Sequence, residues 1–458
     1  MARTACLVAA GAALSLVVTA CGGVSVDDES DSPPDGSPSG SAGGGPSGTI
    51  DTMGFSLQDV IASTRVDMVT KTYPDVNVEV AEGAFEQQPF LNAVASGDPP
   101  SLVYLPRNEL GSYAARGALE PLGECIEEQS IDMGQYREAA VDQVTYDDQV
   151  YGIPEFYDVR IVLSDDSVLQ DAGMTADDID TSNWDQLTQL SSQLAVTEGD
   201  DVRRIGFDPK IPEFLPMWVA ANGGELVASD GTPMLNSPEA VEALDYTAGL
   251  LESTAPWAQF SAFRDTWDFF GGENQFVKDQ LGAFPVEQWY LDVLGEVSPD
   301  ADVTARPFLT RNGEPITYAT GQAWAIPTGG ESPEAACAFM KVMTAADTWV
   351  AAAEASKKDR EKGGGLYLGT YTANEEADER IFSEVYEETG RKNLDEAIQV
   401  VLDVQDAAIS DPASPAAAEV QTAWMDAVLR VLEGEATAQE ALDEAQQEAE
   451  EAIDEATS

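Results

Sequence analysis

Thr320-Gly321-Gln322-Ala323-Trp324-Ala325-Ile326-Pro327, continued by Ser332-Pro333-Glu334-Ala335 and on to Met343, is the stretch that orders the rest of the chain. Trp324, Ala325 and Ile326 are apolar and bounded by Gly321 and Pro327, which predicts a short buried strand. Ser332 is expected to cap a helix with its hydroxyl, and Pro333 suits the first helical position, whose N–H has no partner there anyway. Ala336, Phe339, Met340 and Met343 then recur on one helical face. Taken alone, this is an ordinary buried strand and helix. Its place in the chain gives it more meaning.

The chain has 458 residues, more than one compact core usually holds, so two or more lobes are expected. It carries 83 Asp and Glu against 23 Lys and Arg, a formal net charge of −60. Nucleic acid is excluded, because binding it requires cations that displace counterions. Self-repulsion of this size is relieved by salt, which points to a saline setting; the rival is a merely soluble acidic exported protein. There is no histidine. That excludes every His-based triad, zinc site and proton shuttle. No acidic loop has recognisable metal-ligand spacing, and no metal or cofactor is expected.

Arg3, an apolar run from Ala5 to Val18, and Val18-Thr19-Ala20-Cys21 form an export signal ending in a match to the bacterial lipobox. Residues 1–20 are expected to be removed and Cys21 lipidated. Residues 21–48, rich in Gly, Ser, Pro and acid, would be a tether. No later run is long enough to span a bilayer, so the membrane is met only through the lipid. Of the other cysteines, Cys125 and Cys337 follow the signal; they either pair or remain buried thiols.

From residue 49 the pattern is strand, helix, strand, helix, strand. Thr49–Leu57, Val76–Val80 and Leu102–Leu105 are the strands; Gln58–Tyr73 and Phe90–Ala95 are the helices. This implies a parallel α/β sheet with right-handed crossovers. Asn183 and Ser237 begin further helices, and Gly223-Gly224 ends one. The last helix, from Thr437, has a narrow apolar stripe and an acidic outer face.

Several stretches in order carry a resemblance. They are Tyr73-Pro74-Asp75-Val76-Asn77-Val78, Ala95-Ser96-Gly97-Asp98-Pro99-Pro100, Gly117-Ala118-Leu119-Glu120-Pro121-Leu122, Tyr151-Gly152-Ile153-Pro154, Asn183-Trp184-Asp185-Gln186-Leu187, Ala221-Asn222-Gly223-Gly224 and Trp324-Ala325-Ile326-Pro327. Together they resemble the extracellular solute-binding proteins of carbohydrate ABC transporters, with the plan of maltose-binding protein. The resemblance implies an α/β, two-lobe periplasmic-binding-protein-like fold, with an interlobe ligand cleft and crossing hinge strands. Lobe 1 is expected from residues 49–157 plus 307–350, and lobe 2 from 158–306 plus 351–458. It implies a lipid-anchored, extracytoplasmic, monomeric receptor that passes a sugar to an ABC permease, not an enzyme. One departure is Tyr367 and Tyr371, which stand where a more Pro-rich segment is expected.

A sugar offers C–H faces to aromatic rings and hydroxyls to planar polar groups. The expected ligand contacts are Phe156, Tyr157, Asp158, Arg160, Trp218, Asn222, Trp267, Trp289, Tyr290, Gly321, Gln322 and Trp324. Phe269, Phe270, Glu155 and Glu287 lie beside them in sequence. Core packing is the alternative for Trp218 and Trp324, and a hinge ion pair for Asp158 with Arg160. The rival functions are an exported glycoside hydrolase, which would use a carboxylate pair, and a receptor for peptides or polyamines on the same fold.

Overall fold

The computed structural model describes residues 45–458. The signal, the lipidation expected at Cys21 and nearly all of the tether lie outside the described residues. In chain order the strands are β1 (Gly48–Phe55), β2 (Val76–Glu82), β3 (Leu102–Pro106), β4 (Thr145–Tyr146), β5 (Gln149–Val150), β6 (Ile153–Pro154), β7 (Arg160–Asp165), β8 (Val196–Glu198), β9 (Asp201–Phe207), β10 (Leu281–Glu287), β11 (Val303–Arg306), β12 (Phe308–Leu309), β13 (Pro315–Tyr318), β14 (Gln322–Ala325) and β15 (Ala408–Ile409).

Two five-stranded sheets make the two lobes. The first has the order β2-β1-β3-β14-β6. β1 runs parallel to β2 and β3, as the strand–helix alternation implies. β14 and β6 then add antiparallel, so the sheet is mixed. The intervening helix Val60–Thr72 starts where Asp59 accepts from the Ala62 N–H at 2.7 Å. The second sheet has the order β11-β7-β10-β9-β8. Its central strands read as continuous apolar runs because both faces are covered: every residue from Leu281 to Val286 is buried. A small third sheet, β12-β13-β15, lies where the chain passes between the lobes.

The opening stretch forms as expected, with one correction. β14 lies between β3 and β6, and Ala336, Phe339, Met340 and Met343 of the helix Pro333–Thr344 are fully buried. Ser332, however, does not cap this helix. Its backbone is left-handed, at φ 55°, and the hydroxyl makes no cap bond. Its neighbour is Gly48, where an added Cβ would lie 2.8 Å from the Ser332 Oγ.

Cys125, on the helix Gly123–Gln129, is bonded to Cys337 on the helix Pro333–Thr344, with the Cα atoms 5.6 Å apart. The assignment of residues from 351 to the second lobe needs correction. The helix Ala346–Gly363 packs on Val60–Thr72 of the first lobe. Its Trp349, Val350 and Ala353 form one buried cluster with Tyr367, Ala377 and Ile381, so the chain stays on that lobe past residue 380. Lys392–Gln405 then lies on β11 and β7. The helix Ala417–Leu432 touches both Leu110–Ala115 and Pro238–Glu252. No helix of the described residues is long and apolar enough to cross a membrane.

Candidate functional site

The crossing between lobes is built around Arg107, which is fully buried just beyond β3. Its Nε donates to Gln143 Oε1 at 3.0 Å and its Nη2 to the Thr320 carbonyl at 2.7 Å, while Nη1 donates to the Phe156 carbonyl. Three chain segments are thereby tied to one guanidinium, a fork geometry that only Arg offers. Burial lowers its pKa to about 10, which leaves it charged at neutral pH. Asp158 and Thr320 exchange backbone hydrogen bonds of 2.9 and 3.0 Å, so the crossing strands pair directly. Gly321 is needed here. Its φ is 148°, and a Cβ would lie 2.2 Å from the Phe156 carbonyl oxygen and 2.6 Å from Arg107 Nη1.

Beside this crossing a partly open pocket of about 220 Å³ lies between the lobes. Asn108 reaches it from the first lobe; Arg160, Glu213 and Glu287 reach it from the second. Tyr318 and Thr320 of the crossing, Asp411, and Gln421 and Trp424 of the helix Ala417–Leu432 complete the wall. The Arg160 Nη1 donates to the Tyr318 carbonyl at 2.6 Å and to Thr320 Oγ1 at 3.0 Å, and its Nη2 faces Glu287 Oε1 at 3.4 Å. Phe214 holds the guanidinium from one side, its ring centre 5.1 Å away. Arg160 thus has partners on both its terminal nitrogens and acts as a fixed wall.

The carboxylates are placed with similar care. Gln288 receives the Val159 N–H at 2.7 Å and donates to Asp158 Oδ1 at 3.1 Å, which orients that carboxylate. Burial raises the Asp158 pKa, and the Gln288 bond works against the shift. Tyr318 donates to Asp411 Oδ2 at 2.6 Å. Burial pushes Asp411 up to about 6. Asn108 donates to Gln421 Oε1 at 3.0 Å across the first-lobe side of the cavity. Fixed polar groups around an apolar wall suit a polyhydroxylated small molecule. Among the described residues no group of three or more acidic or cysteine side chains could hold a metal ion.

Of the expected contacts, Arg160 lines the cavity, and Glu287, its neighbour across the sheet, does too. Asp158 sits beside them at the crossing. Trp289 and Trp267 are half-buried on the second lobe, with Phe269 and Phe270 near Trp289.

Others are core. Trp324 is fully buried between Phe55, Tyr104 and Phe339, and its indole donates to Glu155 Oε1 at 3.1 Å. Trp218 is also fully buried; its indole donates to the Pro209 carbonyl at 2.9 Å, with Phe308 edge-on at 4.8 Å. Tyr290 is fully buried, its hydroxyl accepting from Gln275 at 2.8 Å. Tyr157 is buried beneath the Arg107 and Arg137 guanidinium groups. Phe156 packs edge-on against Trp349 at 5.0 Å.

Asn222 ends the helix Leu215–Ala221 and donates to the Glu239 carbonyl and to Glu242. Gly321 serves the backbone crossing, and Gln322 pairs through its backbone with Pro106. Tyr367 and Tyr371 are buried, bonded to Thr370 and to the Leu368 carbonyl. The sequence reading missed Asn108, Glu213, Phe214, Tyr318, Asp411, Gln421 and Trp424. The one local sign was the Pro-bounded run Asp411-Pro412-Ala413-Ser414-Pro415, a break between helices that brings Asp411 to the cavity.

Known proteins place this architecture. The maltodextrin-binding protein MdxE of Bacillus subtilis is 24% identical over 269 residues, which is 57% of this chain and 61% of that relative, so the match spans less than two thirds of its length. CpMnBP1, solved with mannotriose bound, superposes with a TM-score of 0.70 at 22% identity, over 88% of this chain and 99% of that one. An ABC substrate-binding protein of Listeria monocytogenes in complex with cycloalternan gives a TM-score of 0.69 at 19% identity, over 88% and 98%. The profile of the bacterial extracellular solute-binding proteins matches residues 64–357, well over half of the chain. The chain therefore belongs to the bacterial extracellular solute-binding protein family, a family of binding proteins and not of enzymes.

Proposed function

We propose that this protein captures a sugar or oligosaccharide outside the cytoplasm and delivers it to an ABC permease, held to the membrane by a lipid on Cys21. The observation that carries the reading is the pocket at the lobe crossing, walled by Arg160, Glu287, Asp411 and Trp424. Planar charged groups there match vicinal hydroxyls, and the aromatic wall matches sugar C–H faces. The maltodextrin, mannotriose and cycloalternan named for its relatives make manno- and malto-oligosaccharides the first ligands to try. A ligand that touches both lobes favours the closed arrangement, and that arrangement is what a permease would recognise. The protein would act as a monomer, with lobes near the division 49–157 plus 307–350, extended toward residue 385 by the packing of Ala346–Gly363.

A thermal-shift screen of sugars, amino acids and polyamines tests the ligand class, since a ligand of the native state raises the midpoint once its concentration exceeds Kd. A shift with a polyamine and none with any sugar would overturn it. Release of free sugar during incubation would favour a hydrolase instead. Replacing Cys21 by Ala should free the protein into the medium; retention on the membrane would refute the anchor.

A further inference from the structure

The wall of the pocket is more charged than a neutral ligand requires, and the excess has one sign. We propose that the pocket chooses among saccharides by charge, turning away acidic ones, and that Glu287 sets the choice by answering the Arg160 guanidinium. This rests on the saccharide reading.

Among the described residues Arg160 is the only Lys or Arg in this wall, against the carboxylates of Glu213, Glu287 and Asp411. Its charge is already committed. Nη1 has three acceptors for its two hydrogens: the Asp158 carbonyl at 3.2 Å, the Tyr318 carbonyl at 2.6 Å and Thr320 Oγ1 at 3.0 Å. Nη2 faces Glu287 Oε1 at 3.4 Å. The Glu287 side chain is 22% exposed and that of Arg160 8%, so solvent screens the pair only in part. Behind the wall, Arg107 and Asp158 offset each other. The Tyr318 hydroxyl donates to Asp411 without cancelling its charge. The pocket shares Pro216, Val227, Tyr318, Asp411 and Pro412 with a larger neighbour, whose wall adds Asp142 and Glu225 and, among the described residues, no Lys or Arg. The acidic sign therefore continues beyond the pocket.

A carboxylate wall serves a neutral sugar, because each oxygen accepts from a hydroxyl. It serves an ammonium group as well, and a further carboxylate badly. Like charges set against each other discriminate between partners by roughly a hundredfold or more. An acidic saccharide would need a cation of its own, and Glu287 already holds the one this wall offers. Removing the Glu287 charge while keeping its shape releases Arg160 and leaves the wall one negative charge poorer. Glu287 is therefore the position that decides tolerance of acidic ligands. The ligand class narrows to neutral and amine-bearing saccharides, and sugars carrying carboxylate, sulfate or phosphate are excluded.

A matched ligand series tests this by calorimetric titration. It is built on maltotriose and mannotriose, or on whichever neutral saccharide a glycan array shows the parent to bind, with C6 of every unit carrying a carboxylate, a carboxamide or an aminomethyl group. The pH is 8, where Asp411, raised to about 6 by burial, is ionised. The carboxamide has the shape of the carboxylate without its charge, so the ratio of their affinities isolates charge. In the parent the carboxylate should bind at least ~100-fold more weakly than the carboxamide, and the amine at least as well as the carboxamide. In Glu287→Gln the ratio should fall about tenfold. Asp200→Asn, which removes an exposed charge between β8 and β9, should leave it unchanged. The ratio is internal to each variant, and melting temperatures check the fold. Equal binding of carboxylate and carboxamide by the parent, loss of both alike, preference for an acidic saccharide on the array, or a ratio that Glu287→Gln does not move overturns the proposal while the saccharide reading stands. No saccharide binding by the parent, in this series or on the array, overturns the saccharide reading and this proposal with it.

Discussion

Glu155 was a ligand candidate by its place in the sequence, yet its surroundings make it structural, and replacing it by Gln separates the two roles. Glu155 and Arg65 are both buried, at 0% and 1% exposure, and paired with each other. The Glu155 Oε1 also receives the Trp324 indole N–H, while Oε2 and the Arg65 Nε have no partner among the described residues. Removing one member of a buried pair costs roughly 3–5 kcal/mol, because the other charge is left uncompensated. Two features pull the figure to the low end. Gln keeps an acceptor near Arg65 and Trp324, and the guanidinium stays 4.0 Å from the Trp349 ring centre, a contact of up to ~2 kcal/mol when desolvated.

Glu155→Gln should therefore lose ~3 kcal/mol, about a hundredfold in the folding equilibrium. The paired variant Arg65→Met with Glu155→Leu has no stranded charge and should recover most of the loss. Urea unfolding of the mature protein measures both, with titration of whichever saccharide the parent binds. Three results would refute the reasoning: a Glu155→Gln loss under about 1 kcal/mol, a paired variant no better than the single one, or a collapse of affinity in a Glu155→Gln protein that remains folded.

Gly321→Ala puts a methyl group into the Phe156 carbonyl and strains a φ of 148°; it should cost at least ~2 kcal/mol, with amide exchange quickening around residues 156–160. Replacing Cys125 and Cys337 together by Ser opens a link across 212 positions; loop-closure entropy sets the cost near ~5 kcal/mol, and an unchanged melting temperature would contradict it. Asp411, raised to about 6 by burial, binds its proton more readily folded than unfolded. That stability is present at pH 4 and is lost as pH rises through 6, so Asp411→Asn should flatten the fall of melting temperature between those values. With a formal charge of −60, the parent should melt higher in 2 M than in 0.1 M sodium chloride; a flat salt series would dismiss charge repulsion as a stability term.

The elements were largely legible in the sequence because each rests on local chemistry. Asp59 and Asn183 cap helices with their own side chains, and the apolar run Leu281–Val286 can only be a covered strand. The site was less legible. Trp218 next to Gly223-Gly224 and Trp324 after Gly321 look the same in sequence whether they face solvent or core. Their burial depends on Phe308, Phe55, Tyr104 and Phe339, which arrive from elsewhere in the chain. Asn108, Glu213, Tyr318 and Asp411 meet only because the lobes share crossing strands, and no spacing encodes that. Gly321 stands among the ligand contacts expected from the sequence, yet it is packed against backbone, at the Phe156 carbonyl.

The place of β14 in the first sheet bears on how the protein is made. β3 cannot receive its antiparallel neighbour until Gln322–Ala325 has crossed the membrane, and the bond between Cys125 and Cys337 must wait a little longer. While the whole second lobe follows, the first carries a bare hydrophobic strand edge, open to pairing with other chains. Folding of the two lobes is therefore interleaved, not sequential.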